Sequence, residues 1–95
     1  MTIQENARLT CDRMVSEYDR SGSKSAKDYW GMLSYIANSY LINAISDFDV
    51  ERYCYHLRID FDRLMSAPIE YKSVYLKQSI APSGGDAPGE RRKYD

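Results

Sequence analysis

From Tyr29 to Ser46 the chain runs eighteen residues without a charged side chain or a proline, bounded by Asp28 and Asp47. Plotted at about 100° per residue, Tyr29, Leu33, Ile36, Ala37, Tyr40, Leu41 and Ala44 share one wide arc, with Trp30 at its edge. The pattern predicts a central helix over 26–45 whose apolar side organises the core. Its reverse side carries Gly31, Ser34 and Asn38, but also Tyr35 and Ile42, seven residues apart on one line. A helix that is apolar on nearly all sides is normally covered on nearly all sides, and two neighbouring helices cover only part of it.

Before this stretch, Thr2 and Glu5 stand at capping-box spacing, where hydroxyl and carboxylate each satisfy a free backbone N–H at a helix start. Ile3, Ala7, Cys11, Met14 and Tyr18 then fall on one arc, with Arg8, Asp12, Ser16 and Asp19 opposite, which predicts an amphipathic helix over 2–19. The segment from Arg20 to Ser25, with Gly22 and its serines, ends that helix, and Ser25 precedes Asp28 at the spacing of a second N-cap.

Ser46 and Asp49 repeat the N-cap spacing, so a third helix is expected over 47–65, one continuous helix with its predecessor being the alternative. Val50, Tyr53, Cys54, Leu57, Phe61, Leu64 and Met65 fall within an arc of about 120°, a core stripe. Phe48, Tyr55 and Ile59 lie on the opposite side, bordered by Arg52, Asp62 and Arg63. Pro68, just after Ser66, suits the first turn of a short fourth helix over 68–79, with an extended arm as the alternative. From Ala81 to Asp95 glycine, proline and charge replace apolar residues, which predicts a disordered tail.

These elements define an all-α chain: a small antiparallel three-helix bundle with a short fourth helix and a flexible C-terminus. Ninety-five residues fit one domain, expected over 1–80. Composition adds little, but charge matters. Fourteen acids against thirteen bases leave a net charge of −1, and no segment is polarised enough to steer a polyanion, so nucleic acid is disfavoured as a partner. Only Arg91, Arg92 and Lys93 favour DNA, and they lie in the tail. Residues 1–15 hold no apolar run, so no signal peptide is expected and the cytoplasm is the default compartment. The central stretch reaches the length of a membrane span, yet Asn38, Asn43 and its serines favour a buried helix, with no membrane partner.

The residues do not assemble a known chemistry. His56 is the only histidine, and its spacing from Cys54 points the two side chains apart; Asp60, four residues on, is its expected partner. Cys11 and Cys54 sit on apolar arcs and are expected as reduced core thiols. One histidine and two isolated cysteines do not make a zinc site, the DxD pairs read as helix caps, and Ser83-Gly84-Gly85 lacks the lysine of a phosphate loop. No cofactor is expected and the chain reads as non-catalytic.

Nine tyrosines are the compositional oddity, because tyrosine offers large contact area at small entropic cost and is common in interface hot spots. Tyr18, Tyr29, Tyr40 and Tyr53 are accounted for at the rim of a core, whereas Tyr35 and Tyr55 lie on reverse faces beside Ile42 and Ile59. The expected site is therefore a protein-binding surface of Phe48, Arg52, Tyr55, Ile59 and Arg63, joined by Tyr35 and Ile42, used on a protein partner or on a second copy as a homodimer. In size and composition the chain resembles the small acidic helical regulators encoded by bacteriophages and mobile elements, which implies an inhibitor or anti-repressor that blocks another protein. A nucleic-acid-binding transcriptional regulator and a structural adaptor subunit are the alternatives.

Overall fold

In the computed structural model residues 2–22 and 25–80 are described, together with the side chains up to Lys77; the expected tail, 81–95, lies outside them. Among the described residues the chain is all-helical, with helices α1 (Ile3–Ser21), α2 (Ala26–Leu41), α3 (Asp47–Leu57) and α4 (Phe61–Ile80). The three N-caps expected from sequence are formed. Thr2 and Glu5 make a reciprocal capping box, Ser25 accepts from the Asp28 N–H, and Ser46 and Asp49 make a second box at α3. Such caps satisfy donors that the first helical turn leaves free.

The helix ends depart from expectation. α2 stops at Leu41 rather than continuing to residue 45, because Asn43 takes the left-handed conformation (φ 62°). Asn43 N–H then donates to the Tyr40 carbonyl and Ala44 N–H to the Ser39 carbonyl, the paired bonds of a Schellman terminus. Ala44 and Ile45 consequently enter the core from the connecting loop, while Leu41, expected inside, is 62% exposed.

The expected helix over 47–65 is two helices. Arg58 adopts φ 60° and ψ 45°, and Arg58 and Ile59 N–H groups donate to the Tyr55 and Cys54 carbonyls, a second Schellman terminus built on arginine. Asp60 then accepts from the Arg63 N–H at 2.8 Å and opens α4. Pro68, expected to begin a short helix over 68–79, lies inside α4 instead. It leaves the Leu64 carbonyl without its helical donor, and the complete burial of Leu64 and Ala67 beside it offsets that loss.

α4 packs chiefly along α2, and α3 chiefly against α1. The core gathers Cys11 and Val15 from α1, Leu33, Ile36 and Ala37 from α2, Val50 and Tyr53 from α3, and Leu64 from α4. Tyr53 is buried together with its hydroxyl, which donates to Asp12 of α1 at 2.5 Å. Arg52 bridges Asp12 and Asp49, each at 3.1 Å, so one carboxylate on α1 anchors two consecutive residues of α3.

Candidate functional site: an uncharged groove behind the central helix

The rear stripe of α2 is Gly31, Ser34, Tyr35, Asn38 and Ile42, one helical face read at steps of three and four. α4 approaches this stripe closely at one point: a Cβ on Gly31 would stand 3.2 Å from the Tyr71 ring. The first turns of α1 flank the other end with Ile3, Asn6 and Ala7. Together these residues enclose an open groove of about 440 Å³, with Ser39 and Ala44 completing its wall.

Among the described residues, none that lines this groove is charged. The other hollows described each include a charged side chain, such as Asp47 and Glu5, Arg58 and Asp19, Asp12 and Arg52, or Glu17 and Arg20. Ile3 and Ile42 stand about 70% exposed at the rim and Tyr35 is 37% exposed, while Ser34 and Ser39 are buried in the wall. Asn38 donates weakly to the Ser34 hydroxyl at 3.4 Å. The groove thus combines an apolar rim with amide and hydroxyl groups in its wall.

The expected site residues separate into three groups. Tyr35 and Ile42 meet in the groove. Phe48 and Tyr55 remain on the outer face of α3, 71% and 80% exposed, but the break at Arg58 removes Ile59 and Arg63 from their helix. Ile59 packs against the core. Arg52 is committed to Asp12 and Asp49 and lies 4.8 Å from the Tyr53 ring centre. Arg63 donates to the Tyr29 hydroxyl at 3.3 Å and covers the Trp30 ring at 4.9 Å. Neither arginine therefore borders a continuous strip. Ile3, Asn6 and Tyr71 were missed by sequence reasoning; Ile3 scores there as a core residue of α1, and only the packing of three helices shows it on a rim.

The titratable groups serve the fold. Burial pushes the Cys11 thiol up to about 11 and raises Cys54 as well, so both are protonated near neutrality. Burial, with the hydrogen bond to Asp12 and its charge, raises the Tyr53 hydroxyl. For Asp49 burial acts upward, but the Arg52 and Ser46 hydrogen bonds outweigh it and hold the carboxyl below its ordinary range. His56 does not pair with Asp60 as expected; its Nδ1 lies 3.8 Å from Asp19, because α3 ends before Asp60 and faces α1. Among the described residues no three histidine, cysteine or acidic side chains converge as metal ligands, and no helix is long and apolar enough to cross a membrane.

Compared with protein-family models, curated proteins and solved structures, the chain matches none.

Proposed function

We propose that this chain is a non-catalytic protein-binding module, a small antiparallel helical bundle that seats an uncharged apolar segment of another protein in the groove behind α2. The observation that supports this is that, among the described residues, none lining the groove is charged in a chain of which 28% is charged. Charge is depleted at interface centres because an unpaired ion there is costly to desolvate. Ile3 and Ile42 supply apolar contact, Tyr35 and Tyr71 supply area with a polar tip, and Asn6 and Asn38 match backbone amides. An inhibitor or anti-repressor that blocks its target fits this mode.

Affinity purification read by quantitative mass spectrometry tests the proposal with two double variants, Tyr35→Glu/Ile42→Glu and Phe48→Glu/Tyr55→Glu. All four residues are exposed, so both variants should keep wild-type helicity by circular dichroism. The groove variant is expected to lose specific partners that the outer-face variant retains. The same partners recovered with both, or lost only with the outer-face pair, would sink the groove as the binding surface.

A further inference from the structure

The junction between α3 and α4 is Arg58, Ile59 and Asp60, with neither glycine nor proline. Arg58 nevertheless holds φ 60°, a left-handed conformation that an arginine side chain disfavours. The apolar periodicity ignores this break. Val50, Tyr53, Leu57, Phe61 and Leu64 would form one stripe on an uninterrupted helix spanning 47–80. In the bent chain Phe61 is the member of that stripe that stays 47% exposed.

The contacts that hold α4 to α2 need no particular connection to α3, whereas α3 is tied to α2 by the short 42–46 connection, in which Ala44 and Ile45 are buried. Tyr71 stands against Gly31, Arg63 reaches Tyr29 and Trp30, Tyr75 lies under Lys27, and Leu64 and Ala67 bury with Leu33 and Ile36. A second copy presenting its α4 to this α2 would restore all of them. Bent monomer and exchanged dimer therefore differ mainly at the hinge, where straightening relieves Arg58, adds helical hydrogen bonds and gives up the Asp60 cap. Short strained hinges of this kind favour exchange of the element they carry.

We propose that α3 and α4 straighten into a single helix and that two chains exchange α4, forming a domain-swapped dimer whose hinge is Arg58–Asp60. The exchange leaves the groove residues out of the hinge, so its test is independent of the binding role proposed above.

The wild type, Arg58→Gly, Arg58→Asn and Asp60→Ala are each refolded at micromolar and at near-millimolar concentration, then sized by chromatography with light scattering. Circular dichroism confirms helicity. The wild type should form dimer on concentrated refolding and hold it after dilution, because return requires opening of the α2–α4 contact. Glycine and asparagine accept the left-handed hinge and are poorer helix formers, so both Arg58 variants should raise the dimer dissociation constant roughly a hundred-fold or more. Asp60→Ala removes the cap of the bent form and should lower it about ten-fold or more. Absence of dimer in both the wild type and Asp60→Ala overturns the proposal. So does a dimer that the two kinds of variant fail to move in opposite directions, which would be an ordinary surface contact.

Discussion

Replacing Asp12 with alanine removes the acceptor shared by Tyr53 and Arg52, and the cost follows from the exposure of each partner. The Tyr53 hydroxyl is buried and donates to an ionised oxygen at 2.5 Å, a type of bond worth about 1.5–3 kcal/mol. Its second acceptor, the Arg8 carbonyl at 3.3 Å, survives the substitution and keeps the loss toward the lower half of that range. The Arg52 pair adds less. Its side chains are 36% and 39% exposed, so solvent screening holds it under about 1 kcal/mol. Asp12→Ala should therefore cost about 2–3 kcal/mol and, in a domain of this size, lower Tm by roughly 8–20 °C. Tyr53→Phe keeps the ring and should cost about 1–1.5 kcal/mol. Because both changes break the same bond, thermal melts by circular dichroism should show a coupling of at least ~1 kcal/mol in the double variant. A loss below about 3 °C for Asp12→Ala, or strict additivity, would refute the assignment of Asp12 as the anchor between α1 and α3.

Leu64 is fully buried, so Leu64→Ala should cost about 3–4 kcal/mol in urea unfolding, while Leu41→Ala, at a side chain 62% exposed, should cost under about 0.5 kcal/mol. The Cys11 thiol is raised from 9.0 to about 11, so its contribution is fully present below pH 9 and is lost as pH rises toward the folded value. Urea midpoints of the wild type should fall across that window, and Cys11→Ala should reduce the slope between pH 9.0 and 10.0, below the ordinary tyrosine range, leaving the part that the raised Cys54 thiol contributes. Asp49 is shifted the other way: its contribution is present above the ordinary carboxylate value of 3.8 and disappears as pH falls through the depressed folded one. Asp49→Asn should accordingly reduce the acid slope of Tm; an unchanged slope would mean that the Arg52 and Ser46 bonds do not hold this carboxylate.

The first three helix starts were legible in the sequence because capping is local: Thr2 with Glu5, Ser25 with Asp28 and Ser46 with Asp49 all carry their own signal and all form, whereas the Asp60 start of α4 was not legible. Helix ends were not. Glycine normally marks the left-handed residue of a Schellman terminus, and here Asn43 and Arg58 occupy it, so the periodicity overran the end of α2 and ran straight through the break at Arg58. Pro68 misled in the opposite sense. Read alone it starts a helix, but burial of Leu64 and Ala67 keeps α4 intact around it. The candidate site was half visible. Tyr35 and Ile42 stood out as uncovered apolar residues on α2, while their neighbours Ile3 and Tyr71 depend on which helices pack beside that stripe, information that no single helix contains.

The uncharged lining of the groove also bears on kinetics. A segment bound as proposed would approach Ile3, Tyr35 and Ile42 with no charge on the described lining residues to draw it in or orient it. Its association rate should lie in the unsteered range of about 10⁵–10⁶ M⁻¹s⁻¹ and change little between low and high salt. Differences in affinity among competing segments would then appear almost entirely as differences in how long each one stays.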